Sequence, residues 1–262
     1  MSILRVEDLA ISFGGVTALD EVSFTVEPGA IFAVIGPNGA GKTTLFNVMS
    51  GIYAPARGRV LLDGDEITRR QPHEIARRGL SRTFQNLQVF FRMTAIENVM
   101  VGCHRHERRN VLSHFLTLPS VLAQNRDTRR TAEALLAFVG IESAAERPAG
   151  TLPYGVLKRL EIARALATQP RVLLLDEPAA GCNPTETSEI DAAIQKIAAS
   201  GIAVVLVEHD MRLVMKISSR IHVLHQGRSL VEGSRAEVGA NPEVIAAYLG
   251  AQGVREAKRA ER

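Results

Sequence analysis

A chain of 262 residues, 46% hydrophobic and 23% charged, has enough apolar side chain for a substantial core and enough charge for a wetted surface. Wholesale disorder and a small fold that depends on disulfide staples are therefore excluded. Lys and Arg number 31 against 28 Asp and Glu, a formal +3, too mild an excess to imply nucleic acid.

The start reads as strands. Ile3–Val6 and Ala10–Phe13 are short and alternating, with Gly14-Gly15 as a turn signal, and Val22–Val26 alternates again before Pro28-Gly29. Ala30–Ile35 is almost wholly apolar, which suits a strand buried on both faces. Gly36–Gly41 breaks the run, and Lys42–Ser50 predicts a helix closed by Gly51. Val60–Leu62 and Ser81–Phe84 are expected strands, and Pro72–Arg78 an expected short helix. From Met93 to about Gly140 the pattern is mainly helical, clearest in Ala95–Gly102 and Thr128–Val139. It contains a basic tract, His104–Arg109, read as a solvated face, with contact to acidic headgroups or a membrane-protein loop as the sharper alternative.

The α/β rhythm then resumes. Helices are expected over Val156–Thr168, Thr185–Ser200, Asp210–Ile217 and Pro242–Leu249, and strands over Val172–Leu175, Ile202–Val207 and Ile221–Leu224. Gln226-Gly227 reads as a hairpin turn, and the polar tail 251–262 as frayed. One interrupted α/β domain, residues 1–250 with a helical subdomain inserted at about 93–165, accounts for this order better than two successive domains. Cys103 and Cys182 make no metal pattern and fit a reduced compartment. The N-terminus MSILRVEDLA does not read as a signal peptide, and no run of about 18–20 uncharged apolar residues predicts a membrane span.

Gly36-Pro37-Asn38-Gly39-Ala40-Gly41-Lys42-Thr43-Thr44 matches the Walker A pattern at every fixed position, after a buried strand and at a helix start. Its glycines let the backbone turn tightly and aim N–H groups at phosphate oxygens. The helix N-terminus adds favourable potential. Lys42 is expected at the β- and γ-phosphates, Thr43 on Mg²⁺ and Thr44 at the α-phosphate. In Val172-Leu173-Leu174-Leu175-Asp176-Glu177 four apolar residues bury a strand and carboxylates emerge at its end. Asp176 there suits Mg²⁺ through water, and Glu177 suits the general base or the group that orients attacking water. His209, just past an apolar strand, sits where open α/β sheets bind ligands and is able to donate to a γ-phosphate. Gln85 follows Ser81–Phe84 and offers a carbonyl to Mg²⁺ or water, although pattern alone does not select it.

With these residues in place the sequence resembles the nucleotide-binding subunits of ATP-binding cassette (ABC) transporters over roughly residues 3–250. The resemblance implies a P-loop nucleoside triphosphate hydrolase with an antiparallel β-subdomain and an inserted helical subdomain. It makes Gln85 the Q-loop residue, His209 the switch histidine, Ala180-Gly181-Cys182-Asn183 the D-loop, and Phe13 the aromatic that stacks on adenine. The signature region matches Leu152-Pro153-Tyr154-Gly155-Val156 followed by Leu157–Leu166. Its front departs from the family, which usually carries serine at the position of Pro153 and glutamine or an acidic residue at that of Val156. In these proteins each Walker A faces the signature of the opposite subunit, so Pro153, Tyr154 and Gly155 are expected at the partner's ATP. The missing hydroxyl at Pro153 is expected to weaken hydrolysis at one of two composite sites without preventing ATP binding.

Arg82–Asn86, Phe91–Val99, Gly102, Leu174–Gly181, Asn183-Pro184, Glu208–Met211 and Val244–Gly250 resemble the branched-chain amino acid uptake group, and most nearly the larger of its two ATPase subunits. That likeness implies an ATP-hydrolysing subunit, peripheral on the cytoplasmic face of a bacterial plasma membrane, with ATP and Mg²⁺ bound. It further implies a second distinct ABC ATPase, two membrane permeases touched through Gln85–Val101, an extracytoplasmic amino-acid-binding protein reached indirectly, and no nucleic acid. The competing readings are a lipid or lipopolysaccharide exporter ATPase, a soluble or DNA-associated cassette ATPase, and a nucleotide-binding assembly module with weak hydrolysis.

Overall fold

In the computed structural model residues 2–103 and 119–248 are described, without the side chains of 119–123. The His104–Arg109 tract, residues 249–250 and the 251–262 tail lie outside them. No helix among the described residues is long and apolar enough to cross a membrane.

The chain opens with β1 (Leu4–Phe13) and β2 (Val16–Val26), paired antiparallel. Two strands are expected where β1 runs unbroken. The charged residues at 7 and 8 sit at a shift in register rather than at a chain break, with Asp8 at φ 47 and its N–H on Ser23 Oγ at 2.8 Å. With β4 (Arg57–Leu62) and β5 (Asp65–Glu66) they form a four-stranded antiparallel sheet of order β2-β1-β4-β5.

The second sheet has six strands in the order β10-β9-β3-β8-β7-β6. These are β3 (Ile31–Ile35), β6 (Leu80–Arg82), β7 (Val172–Asp176), β8 (Ala203–Val207), β9 (Arg220–His225) and β10 (Arg228–Gly233). All neighbours are parallel except β10, which folds back on β9 through Gln226 and Gly227 at φ 50 and 81. Two positive φ values fit the turn that follows strand twist, and a glycine takes the second without strain.

The apolar runs are explained by what covers the two faces. In β3, Ile31, Ala33 and Ile35 join one core while Phe32 and Val34 join the other. In β7, Leu173 and Leu175 face the first core and Val172 and Leu174 the second. Side chains alternate with period two, so a strand covered on both sides needs an apolar residue at every position.

Helix α1 (Lys42–Met49) follows β3, and α2 (Pro72–Arg78) leads into β6. Among the described residues between β6 and β7 are the helices α3 (Ala95–Cys103), α4 (Pro119–Phe138) and α5 (Tyr154–Leu166). They join the first core through Ile96, Val99, Leu136 and Leu160. Helix α4 starts earlier than the pattern from Thr128 predicts, and α5 begins two residues before Val156, directly after Pro153. Proline is well suited to such an entry because it has no N–H to leave orphaned. Helix α6 (Pro184–Ala199) carries a capping box, with Asn183 Oδ1 accepting from Thr185 and Glu186 N–H at 3.0 Å and Glu186 reaching back. Helix α7 (Met211–Ile217) follows Asp210 as its cap, α8 (Arg235–Ala240) was not expected from the pattern, and α9 spans 242–248.

Candidate functional site

Four neighbouring parallel strands, β3, β8, β7 and β6, end on the same side of the sheet. The segment after each carries a residue singled out by the sequence: Gly36–Thr44 after β3, His209 after β8, Glu177 after β7 and Gln85 after β6. A cleft of about 720 Å³ is lined by Val16–Ala18, Asn38–Thr44, Gln85, Glu177 and His209.

The glycine loop is tight because it has to be. A Cβ on Gly36 would lie 2.1 Å from Leu224 O, and one on Gly41 would lie 2.7 Å from Ala18 O. Gly41, at φ 104, also starts α1 without a side-chain cap, so first-turn N–H groups remain available to an anion. Lys42 is buried and donates to Gly36 O at 2.7 Å and Pro37 O at 3.0 Å. Burial pushes its ammonium below the ordinary lysine value, against the raising influence of Glu177 and Asp176.

Glu177 is the hub of the catalytic candidates. Its Oε1 lies 2.7 Å from His209 Nε2, and its Oε2 accepts from Gln85 Nε2 at 3.1 Å. Its backbone is left-handed at φ 50 and its N–H donates to Val207 O at 2.9 Å, so the chain turns sharply off β7 there. Asp176 stays behind the cleft rather than lining it. Its Oδ2 accepts from Arg82 Nη2 at 2.8 Å, both side chains being buried. Arg82 also donates to Asn47 Oδ1 at 2.7 Å and Ser50 Oγ at 3.1 Å, which ties β6 to α1 and β7.

Pro153, Tyr154 and Gly155 do not line the cleft. They start α5 against α6, where Gly155 N–H donates to Glu186 Oε1 at 3.2 Å. A Cβ on Gly155 would lie 2.5 Å from that carboxylate carbon. The Gly155 N–H is thus engaged within the chain. Phe13 is not among the residues lining the cleft. It is 44% exposed at the end of β1, edge-to-face with Tyr53 at 5.1 Å.

Several further residues around the site are not marked by any motif in the sequence. Glu208 is buried, accepts from the N–H groups of Ala179 and His209 at 2.9 and 3.1 Å, and is pushed up in pKa by burial. Its position at the apolar end of a strand, one residue before His209, was the available signal. Lys158, Arg159 and Glu161 are buried charges on α5. The contacts of Arg82 and Glu186 are not legible in local spacing, since their partners are far along the chain.

A nucleotide and Mg²⁺ fit this donor set. The cradle is one that side chains would fill, a buried cation lies at its base, Thr43 offers a hard hydroxyl oxygen in the cleft, and Asp176, behind it, offers a carboxylate that would meet Mg²⁺ through water.

The family model described as ABC transporter matches residues 19–180, and that described as branched-chain amino acid ATP-binding cassette transporter matches 228–254. The high-affinity branched-chain amino acid transport ATP-binding protein BraF of Pseudomonas aeruginosa is 47% identical over 249 residues, 95% of this chain and 98% of that one. LivG of Escherichia coli, which carries the same description, is 43% identical over the same shares. A nucleotide-free ATP-binding cassette from an ABC transporter superposes with a TM-score of 0.83 at 32% identity, covering 95% of this chain and 99% of that chain. The cbiO1 protein from Clostridium perfringens, part of the ABC transporter complex cbiONQ, superposes at 0.79 with 27% identity, covering 100% and 99%. The architecture is a P-loop nucleoside triphosphate hydrolase with a β-sheet subdomain and an inserted helical subdomain, a fold that supports ATP binding and hydrolysis in general. With nearly the whole chain aligned at these identities, the protein belongs to the ABC transporter family, in the LivG/BraF-like group of its ATP-binding subunits.

Proposed function

We propose that the chain binds and hydrolyses ATP to drive uptake of branched-chain amino acids through a membrane ABC transporter. The observation that carries the chemistry is the Gln85–Glu177–His209 cluster opposite the Walker A loop. Glu177 accepts hydrogen bonds or close contact on both oxygens, which fixes a carboxylate where it is able to orient and deprotonate attacking water. Lys42 and the loop N–H groups hold the phosphates, and His209 and Gln85 border the γ-phosphate end. Thr43 and Asp176 are the residues that would hold Mg²⁺, which when bound neutralises charge on the phosphates. Phe13, edge-to-face with Tyr53, is an exposed aromatic available to the adenine face. Pro153, Tyr154 and Gly155 serve the site of the opposite subunit.

Substrate and partners come from likeness to BraF and LivG, whose names specify branched-chain amino acid transport. Solute recognition lies outside this chain, which works peripherally on the cytoplasmic face with two permeases and a second ATPase. A groove of about 760 Å³ supports permease docking. Its lining includes Phe84, Leu87, Val89, Phe90, Ile52 and Ile75, with Ile52, Phe84 and Phe90 exposed. Affinity capture from native membranes tests this. Two permeases and a distinct second cassette ATPase are expected, and recovery of lipid-export components, or of no permease, contradicts it.

A further inference from the structure

One face of α5 holds the Q-loop segment through charged side chains. Glu161, one turn into the face, takes the N–H groups of Phe84 and Gln88 on Oε1 at 3.4 Å each. Arg164, a turn further, stacks its guanidinium over the Phe90 ring at 5.6 Å. Lys158, a turn earlier and 2% exposed, donates to Gln85 O at 3.3 Å and Glu177 O at 3.5 Å, and lies over the Tyr154 ring at 5.7 Å. These positions are three apart, so they share one helix face.

Lys158 differs from the other two because it reaches beyond the Q-loop. Gln85 and Glu177 meet through their side chains. Their backbones meet through the Lys158 ammonium. The same side chain borders Tyr154 at the start of α5, so one cation touches the signature, the Q-loop and the catalytic glutamate. A buried ammonium is costly, and a methionine of similar length would fill the space without that cost. Packing alone does not call for lysine here.

We propose that Lys158 is a positioning residue for hydrolysis, fixing the backbones of Gln85 and Glu177 and tying their placement to the signature end of α5. This rests on the proposed ATPase function. Engagement of the signature by the opposite subunit would then be felt at Glu177 through one side chain rather than through the whole subdomain.

The test uses the assembled transporter carrying Lys158→Met or Lys158→Arg, with ATP turnover and equilibrium ATP binding measured together. Hydrogen exchange across residues 83–90 of the full chain supplies a readout independent of activity. Lys158→Met is expected to lower kcat by about tenfold to a hundredfold, the scale of a small misplacement of reacting groups. KM and ATP binding should stay within about twofold, and exchange across 83–90 should rise. Lys158→Arg, which keeps charge and donors, should recover turnover. Undiminished kcat in Lys158→Met, a parallel loss of binding and turnover, or unchanged exchange would overturn the proposal. A wild-type assembly that hydrolyses no ATP would instead overturn the function, and the exchange measurement would still decide whether Lys158 tethers the segment.

Discussion

Gly36 and Gly39 belong to one loop but face different physical demands. A side chain at Gly36 collides with Leu224 O at 2.1 Å, backbone that has no way to swing aside, whereas one at Gly39 meets nothing within 4 Å. Gly36→Ala is therefore expected to cost roughly 1–3 kcal/mol, the range for overpacking, and to abolish ATP binding. Gly39→Ala should cost only about 1 kcal/mol for its left-handed backbone. Urea unfolding of the two variants checks the order, and equal midpoints would contradict it. The Walker A glycines were legible in the sequence because the loop's chemistry resides in consecutive residues. The Gln85–Glu177–His209 cluster was legible only in part. Each residue stood at a strand end, but contacts across 92 and 32 positions are set by strand order, which residue types do not encode.

Among the elements, α5 concentrates what spacing alone leaves hidden. Its sequence reads as a helix, yet Lys158, Glu161 and Arg159 are buried on it. Burial pushes the Glu161 carboxyl above the ordinary glutamate value, with the N–H groups of Phe84 and Gln88 and the charges of Lys158 and Arg164 pulling the other way. The folded chain therefore holds that proton more tightly than the unfolded chain does. The associated stability is full below the ordinary value and falls as pH rises through the folded pKa. Glu161→Gln removes this slope while keeping an oxygen for the two N–H groups. Relative to wild type it should gain stability as pH rises above the ordinary glutamate value, as measured by urea midpoints, and a pH-independent difference would contradict the assignment.

At the other end of α5, Pro153 supplies no side-chain cap and Gly155 N–H is engaged by Glu186. Pro153→Ser should raise hydrolysis at the composite site this signature completes, because a hydrogen bond to a charged group is worth about 1.5–3 kcal/mol. ATP turnover by assemblies matched in subunit composition checks this, and an unchanged rate would contradict it. The departure at Pro153 was legible. The Glu186 contact was not, since α6 reaches it from 31 residues away.

For the whole molecule, the six-stranded sheet sets the site by bringing four strand ends side by side. The buried runs in β3, β7 and β8 announce this sheet, because strands covered on both faces must be apolar throughout. The β1 bulge at Asp8 and helix α8 escaped pattern reading, since a register shift and a six-residue helix leave little periodic trace. The fold supports ATP binding and hydrolysis in general, whereas solute and direction of transport rest on likeness to BraF and LivG. The most direct measurement is uptake of radiolabelled leucine, isoleucine and valine by host cells that lack this chain and are supplied with wild type or Glu177→Gln. Uptake restored by wild type but not by Glu177→Gln, with ATP binding retained by the variant, is the expected result. Uptake that persists without the chain, or that Glu177→Gln restores in full, would contradict a hydrolysis-driven role in branched-chain amino acid import.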